Sequence, residues 1–92
     1  MLHQIRAHVF VSGKVQGVGY RYATVDTATH LGINGWVRNL SDRRVEAVFE
    51  GRQEVVEEMI RWCHQGPPDS VVKDVLIEYE EPEHLQGFQV RR

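Results

Sequence analysis

The sequence predicts an α+β fold in which two helices pack on one face of an antiparallel sheet. Two segments have the character of helices, and four segments have the alternation or the β-branched content of strands. They follow one another in the order βαββαβ, with a short strand at the end. Right-handed crossovers in such an order place both helices on the same face. The length of 92 residues fits one domain over residues 1–92.

The first half of the chain provides a strand and a helix separated by a loop. Residues 5–12 alternate small apolar side chains with polar or bulky ones, which predicts the first strand. A glycine-rich loop follows. Residues 20–31 contain no glycine or proline, and Gly32 stands where a helix end favours a residue that can adopt positive φ. The first helix is therefore predicted over residues 20–31.

The middle of the chain predicts a hairpin and a second helix. Residues 33–40 and 44–50 are expected to be the second and third strands, joined by a tight polar connection. Residues 52–64 carry apolar side chains at helical spacing, which predicts an amphipathic helix. A Gly-Pro-Pro turn at residues 66–68 ends that helix.

The last part of the chain completes the sheet. Residues 71–79 are rich in strand-forming side chains and predict a fourth strand, whereas Pro82 interrupts the pattern. Residues 88–91 are expected to add a short fifth strand. Together these elements form a ferredoxin-like α/β sandwich. That fold hosts many unrelated functions, so the chemistry must be argued from particular residues.

Composition disfavours several classes of protein. The formal net charge is −2, whereas binding to nucleic acid or to anionic membranes would favour a broad basic surface. No apolar run approaches the ~18 residues of a membrane span, and the segment that begins at Met1 lacks the apolar core of a signal peptide. The single cysteine, Cys63, suits a reducing compartment. We expect a cytoplasmic monomer that binds neither nucleic acid nor membrane.

The stretch from Gly13 to Arg21 has the features of an anion-binding loop. Gly17 and Gly19 permit backbone torsions in which successive N–H groups converge on one anion. The following helix adds its unpaired N–H groups and the positive end of its dipole. Arg21 opposes that dipole unless an anion neutralises it, and its planar guanidinium matches phosphate. The alternative is that the glycines only serve a tight strand-to-helix turn.

Two better-known phosphate motifs do not fit this loop. A P-loop requires Gly-Lys followed by Ser or Thr, and no such triplet occurs in the chain. A dinucleotide-binding fingerprint requires a third glycine three residues after Gly19, where this chain has Tyr22. The loop therefore predicts a site for a lone phosphoryl group.

A second candidate residue is Asn39, near the end of the second strand, where its side chain could reach the neighbouring loop. An amide is neither acid nor base at neutral pH, so Asn39 can only orient other groups. Its carbonyl can accept from a water, and its NH2 can donate to an oxyanion. The alternative is that Asn39 begins the hairpin turn.

Two motifs in this order closely resemble the acylphosphatase family: Gly-Lys-Val-Gln-Gly-Val-Gly-Tyr-Arg at residues 13–21 and Gly-Trp-Val-Arg-Asn at residues 35–39. The resemblance covers essentially the whole chain and includes Val45-Glu46, Trp62, the turn at 66–68 and the tail Phe88-x-Val90-Arg91. It implies the same ferredoxin-like fold. It also implies hydrolysis of the carboxyl–phosphate anhydride of acyl phosphates, without a metal, another cofactor or a covalent intermediate.

By this resemblance, the substrate is a small-molecule acyl phosphate, and inorganic phosphate is a product or competitive inhibitor. The motif arginine and asparagine match Arg21, which would clamp the phosphoryl group, and Asn39, which would hold a water in line. Thr24 would either brace Asn39 or be a plain helix-face residue. The phosphoryl group would lie against the backbone N–H groups of a segment that we call the cradle, formed by Val15, Gln16, Gly17, Val18, Gly19 and Tyr20.

One departure from the family pattern concerns the hairpin turn. The family usually has glycine after the aspartate of this turn, and here Asp42 is followed by Arg43. If the position requires positive φ, Arg43 costs on the order of 1 kcal/mol.

The other conspicuous residues have ordinary interpretations. The five histidines lack ligand-like spacing, so no metal site is expected. Cys63, Trp36 and Trp62 are expected to pack, and Glu46 and Glu50 to lie on solvated faces.

Two further classes of function stay open beside the enzyme. One is a module that senses phosphate or acyl phosphates without turnover. The presence of both Arg21 and Asn39 favours the enzyme over this module. The other is an RNA-binding or regulatory domain, which the acidic net charge and the missing aromatic strand pattern disfavour.

Overall fold

A computed structural model describes residues 3–92, so the first two residues of the N-terminal segment considered above lie outside the described part. The predicted element order is confirmed. The elements are β1 (Gln4–Lys14), α1 (Tyr20–Leu31), β2 (Asn34–Asn39), β3 (Val45–Arg52), α2 (Gln53–Gln65), β4 (Val71–Glu80) and β5 (Phe88–Val90). Within residues 3–92, no helix is both long enough and apolar enough to cross a membrane.

The strands form one sheet in the order β4-β1-β3-β2-β5. β1 pairs antiparallel with β3 and β4, and β2 pairs antiparallel with β3. The fifth strand runs parallel to β2, with Val37 opposite Val90. The prediction of an antiparallel sheet is therefore correct for four strands and wrong for the fifth. Because β4 and β5 lie at opposite edges, residues 81–87 carry the chain across the sheet.

One face of the sheet and the two helices enclose the core. The alternating residues Ala7, Val9 and Val11 of β1 are fully buried there, against apolar side chains of β3 and α2. Cys63 lies in this core, as expected. Burial raises the pKa of its thiol to about 12, so the thiol stays protonated at neutral pH.

The other face of the sheet carries charged residues that are buried. Glu46 and Glu50 are 5% and 0% exposed, so the expectation that they are solvated is wrong. The Glu50 carboxylate accepts from the N–H groups of Glu83 at 2.7 Å and Leu85 at 2.9 Å. Arg6 Nη1 donates to it at 2.9 Å. The crossing segment thus covers Glu50 and is held by it, which explains the burial.

The same face also holds Trp36, which is buried but lies outside the core. The guanidinium groups of Arg38 and Arg91 stack on its ring at 5.4 and 4.5 Å. Arg38 also donates to Glu46. Cation–π contacts therefore complete the packing of this face.

A bulge at the end of β1 determines where the loop begins. The pairing of β1 with β4 shifts register between Ser12 and Gly13 and then continues to Lys14, so the strand is longer than predicted. Gly13 has φ +124°, and a Cβ there would lie 2.2 Å from the carbonyl oxygen of Val71. Only glycine fits this close approach.

Candidate active site

The cradle is anchored by side chains that point inward. Val15 and Tyr20 are buried in the core, and the partly buried Val18 packs against it. The Tyr20 hydroxyl donates to the carbonyl oxygen of Cys63 at 2.7 Å, which attaches the start of α1 to the end of α2. Because these side chains are directed into the protein, the backbone between them faces the surface.

The N–H groups of the cradle are available to a ligand. Gly17 and Gly19 have φ values of +75° and +79°, as the loop interpretation requires. In the described part of the chain, no backbone carbonyl accepts from the N–H groups of residues 16–22, whereas Ala23 N donates to Gly19 O at 3.0 Å. The first turn of α1 contains no acidic residue, and Gly19 provides no side-chain cap. These unpaired donors and the helix dipole favour an anion.

The side chain of Gln16 connects the cradle to the β2–β3 hairpin. Its Nε2 donates to the carbonyl oxygens of Leu40 and Arg44, each at 2.9 Å. Gln16 therefore offers only its backbone N–H to a bound anion, and its side chain fixes the position of the hairpin.

Asn39 is the last residue of β2 and lies opposite Val45, whose side chain is in the core. Asn39 thus points to the helix-covered side of the sheet, beside the cradle. Its Oδ1 is buried and has no hydrogen-bond partner among the residues that the structure describes. A buried carbonyl oxygen without a partner is rare because it loses its hydration.

A cavity of about 180 Å³ joins these parts and brings Arg21 and Asn39 together. Its walls are formed by Val15, Gln16, Gly17, Gly19, Tyr20, Arg21, Tyr22 and Asn39. Of the predicted cradle residues, Val18 does not line the cavity, since its side chain packs inward. Tyr22 was not predicted, because nothing in the motif marks it as more than a helix residue.

Thr24 is buried one turn after Tyr20. Its hydroxyl donates to the carbonyl oxygen of Tyr20 at 2.7 Å. Within residues 3–92 no hydrogen bond joins Thr24 to Asn39, so a direct polar bracing contact is not observed. The geometry is that of a helix-face threonine.

The turn that follows Asn39 in the β2–β3 hairpin contains the unusual torsion considered above. Leu40 N donates to Arg44 O at 2.8 Å and closes the turn. Arg43 has φ +77°, which confirms that the position normally suited to glycine requires the left-handed region.

The residues that line the cavity can bind and orient a ligand, but none of them has a side chain suited to proton transfer at neutral pH. Neither a carboxylate nor an imidazole is among its lining residues. Burial raises the pKa of the Tyr20 phenol well above its usual range, and its hydroxyl donates to Cys63 O. Arg21 and the N–H groups supply positive charge. The arrangement is therefore suited to an anion and a water.

The structure brings together one group of possible metal ligands that sequence spacing did not reveal. His8, Glu78 and Glu80 have ligand atoms within 4.8 Å of one another, across β1 and β4. Both imidazole nitrogens already face carboxylates, Glu80 at 2.8 Å and Glu46 at 2.6 Å. Glu80 also accepts from Arg6 at 2.9 Å. An ion-pair network accounts for the group, which does not line the cavity beside Asn39.

The fold and site define a small α+β domain with an anion-binding cavity at a strand-to-helix junction. Comparison with known proteins identifies its relatives. The family model described as Acylphosphatase matches residues 7–90. An acylphosphatase of Trichormus variabilis is 70% identical over 88 residues, which are 96% of this chain and 87% of that protein. The chain belongs to the acylphosphatase family, and it is an enzyme that hydrolyses acyl phosphates.

Solved structures agree with this assignment. An acylphosphatase from Coxiella burnetii superposes with a TM-score of 0.92 at 39% identity, covering 96% of this chain and 93% of that one. Acylphosphatase from Bacillus subtilis gives a TM-score of 0.93 at 30% identity, covering 96% and 99%. The family resemblance inferred from the two motifs and the ferredoxin-like fold class are thereby confirmed.

Proposed function

We propose that this chain cleaves the carboxyl–phosphate anhydride by in-line attack of a water that Asn39 positions, on a phosphoryl group bound by the cradle and Arg21. The observation that carries the proposal is the Oδ1 of Asn39. It is a buried acceptor without a partner among residues 3–92, and its residue lines the same cavity as Arg21. A water in that cavity would satisfy it.

Binding of the phosphoryl group rests on donors that the fold leaves unpaired. The N–H groups of the cradle and the first turn of α1 surround one small space, and Arg21 adds two parallel donors. Phosphoryl transfer passes through a loose transition state with charge on the equatorial oxygens. Fixed donors aimed at those oxygens stabilise that charge without reorganisation.

Proton transfer needs no side chain in this reaction. The leaving group is a carboxylate, which is a weak base and departs without a general acid. The attacking water gives its proton to a phosphoryl oxygen of the substrate. A metal is not required, because Arg21 and the N–H groups supply the positive charge, and no lining residue is a carboxylate or imidazole that would hold a cation.

We further propose that the enzyme acts as a monomeric domain over residues 1–92 in the cytoplasm, on small-molecule acyl phosphates. One chain supplies every residue of the cavity, so a partner subunit is unnecessary. The lone buried cysteine suits a reducing compartment.

Substitution of the two central residues separates the roles assigned to them. Asn39→Ala should lower kcat by about 10²–10³ and leave inhibition by inorganic phosphate nearly unchanged, because it removes water positioning and keeps the cradle. Arg21→Ala should lose both turnover and phosphate affinity. Steady-state kinetics with benzoyl phosphate in the presence of EDTA measures both effects. A normal kcat for Asn39→Ala would exclude the water-positioning role.

The matched control is Arg61→Ala, which removes the same charge from the exposed side of α2 and should leave kcat unchanged. Hydrolysis in heavy-oxygen water tests the point of attack directly. The label should appear in inorganic phosphate. Label in the carboxylate would show attack on the acyl carbon and would contradict the proposed mechanism.

A further inference from the structure

A groove of about 560 Å³ at one end of the sheet is lined mainly by basic residues. Its cationic side chains are those of Lys14, Arg43, Arg44 and Lys73. Asp42 is the one carboxylate among the described lining residues, and it binds Arg44 at 2.8 Å. None of the other three cations forms an ion pair within residues 3–92. Even when Asp74, which follows Lys73 in β4, is included, this surface keeps an excess of positive charge.

The groove lies at the end of the sheet where the cradle begins. Lys14 is the last residue of β1 and directly precedes Val15, which lines the active-site cavity. Gln16 lines the same cavity and donates to the carbonyl oxygen of Arg44, whose residue lines the groove. The groove and the cavity share no lining residue in the described part of the chain. The charges of the groove therefore reach a ligand in the cavity through space and not by contact.

The opposite end of the sheet is acidic. A cavity of about 380 Å³ there is lined by the carboxylates of Glu57, Glu80 and Glu81 and by no cation among residues 3–92. Gln4, which begins β1, lines this acidic cavity, whereas Lys14 ends the same strand at the basic groove. The formal net charge of −2 is thus unevenly distributed. A protein of negative net charge repels an anionic substrate, and the basic groove offsets this repulsion beside the cradle.

Arg43 contributes one of the positive charges at a cost to the backbone. Its φ of +77° lies in the left-handed region, which disfavours residues with a side chain. The adjacent Asp42 carboxylate binds Arg44 and not Arg43. Within the described residues, no hydrogen bond or ion pair of the Arg43 side chain offsets the strain. A strained residue close to an active site points to a functional role, and the property that this side chain offers is its charge.

We propose that Lys14, Arg43 and Lys73 attract the acyl phosphate toward the cradle through their electric field, without touching it. The inference rests on the proposed function, because it assumes that the cradle and Arg21 bind the phosphoryl group. That group carries a charge of about −1.5 to −2 at neutral pH. Its charge is similar in the bound substrate and in the transition state, so distant cations stabilise both alike. They should therefore lower KM and leave kcat unchanged.

Coulomb's law gives the size of the expected effect. At a separation on the order of 10 Å in water, one positive charge strengthens the binding of a dianion about threefold when the ionic strength is about 10 mM. The Debye length falls from about 30 Å at that ionic strength to about 3 Å at 1 M, where the effect vanishes. Low salt therefore reveals the attraction and high salt removes it.

Kinetics with benzoyl phosphate at low and high salt tests the inference. Arg43→Gln should raise KM about threefold at about 10 mM ionic strength, with kcat unchanged, and should match the wild-type chain at about 1 M salt. Arg43→Lys keeps both the charge and the strained torsion, so its KM should remain that of the wild-type chain. Arg52→Gln is the matched control, because it removes the same charge at the acidic end, where Arg52 lies opposite Gln4. Its KM should stay within about 1.5-fold of the wild-type value.

Calorimetric titration with inorganic phosphate makes the test independent of turnover. The triple variant Lys14→Gln/Arg43→Gln/Lys73→Gln should bind phosphate about tenfold more weakly than the wild-type chain at low salt and equally at high salt. Arg21→Ala should lose binding at both salt concentrations, because Arg21 contacts the phosphoryl group in the proposed mechanism. Normal phosphate binding by Arg21→Ala would contradict the proposed function, whereas the salt dependence of the triple variant tests the inference separately.

Three results would overturn the inference itself. The first is a wild-type KM for Arg43→Gln at low salt. The second is the same rise in KM for Arg43→Lys or for Arg52→Gln, since positive charge near the cradle would then not be the cause. The third is a loss of phosphate affinity in the triple variant that persists at high salt, because the groove would then contact the anion directly.

Discussion

Arg43 is the residue at which the chain departs most clearly from local preference. It lies at the tip of the β2–β3 hairpin with φ +77°, a region in which a side chain clashes with the following carbonyl oxygen. The hairpin positions Asn39, so the strain lies close to the active site but not within it. The sequence suggested this strain, because the resemblance to the acylphosphatase family led us to expect glycine at the position of Arg43.

Replacement of this arginine by glycine should stabilise the protein. Arg43→Gly relieves the left-handed strain but increases the conformational entropy of the unfolded chain. Because the relief is the larger effect, we expect the free energy of unfolding to rise by about 0.5–1 kcal/mol. Urea denaturation measures the difference. Arg44→Gly, at a neighbour without positive φ, should instead destabilise. A loss of stability in Arg43→Gly would show that the arginine side chain makes contacts that outweigh the strain.

Residue roles differ in how well they can be predicted from the sequence. The motifs pointed to Arg21 and Asn39, since the chemistry of an anion loop and of an orienting amide is local. Val90 lies far along the chain from both, and only the parallel pairing of β5 places it opposite Val37, two residues before Asn39. The hydrogen bonds from Gln16 to the hairpin could likewise not be predicted from the sequence, because they join segments distant in sequence.

The cradle and the β2–β3 hairpin are two separate elements that must keep a fixed distance. The side-chain NH2 group of Gln16 joins them through the carbonyl oxygens of Leu40 and Arg44. The cradle holds the phosphoryl group in the proposed mechanism, whereas the hairpin carries Asn39. In that proposed mechanism, the bridge would set the distance between the water and the phosphorus.

Removal of the bridge should reduce turnover more than binding. Gln16→Met keeps the length of the side chain but cannot donate, and we expect kcat to fall about tenfold with a small change in phosphate inhibition. Steady-state kinetics with benzoyl phosphate, with and without inorganic phosphate, measures kcat and phosphate inhibition separately. Gln53→Met, an exposed glutamine on α2, is the control. If both variants behaved alike, the bridge would have no role in positioning.

Helices and strands were predicted well where neighbouring residues determine them, and less well where a distant partner strand does. The first helix has the predicted bounds, Tyr20–Leu31, because Gly32 ends it in the left-handed conformation. β1 extends beyond the prediction because β4 continues to pair across the bulge. The direction of β5 could not be foreseen, since a three-residue strand carries no signal for its partner.

At the scale of the whole molecule, Glu50 holds the segment at residues 81–87, which crosses the sheet. Burial by itself would raise the pKa of this carboxyl, but N–H groups of Glu83 and Leu85 and the Arg6 guanidinium outweigh it, so the pKa is lowered. A lowered carboxyl pKa stabilises the folded state above its ordinary value of 4.5 and loses that effect as pH falls toward the folded value.

Glu50→Gln should therefore destabilise the protein in a pH-dependent way. Near neutral pH we expect a loss of about 2–3 kcal/mol, because an amide NH2 would face a donor where the carboxylate accepts. The difference from the wild-type chain should shrink below about pH 4.5, where Glu50 of the unfolded wild-type chain begins to protonate while the folded carboxyl is still ionised. Chemical denaturation across this range measures it. Glu54→Gln, on the exposed start of α2, should show no comparable loss; a pH-independent difference for Glu50→Gln would contradict the argument.

The burial of Glu46 and Glu50 could not be inferred from the sequence, because segments distant in sequence cover these side chains. A glutamate that alternates with core residues on a strand normally faces water. Here arginines, a histidine and the segment at residues 81–87 cover that face. This cover is formed by segments from both ends of the chain, so it exists only in the complete fold.

The sheet order β4-β1-β3-β2-β5 has a consequence for the time course of folding. The first strand lies in the interior of the sheet, and its partners are the distant segments Val45–Arg52 and Val71–Glu80. Pairings of such high sequence separation are slow to form. A growing chain must therefore carry β1 with both edges unpaired until residues beyond the middle have been synthesised, and such edges invite pairing with other chains. The cradle follows β1 directly, so it is synthesised before β3 and β4 and reaches its final position only once the sheet is finished.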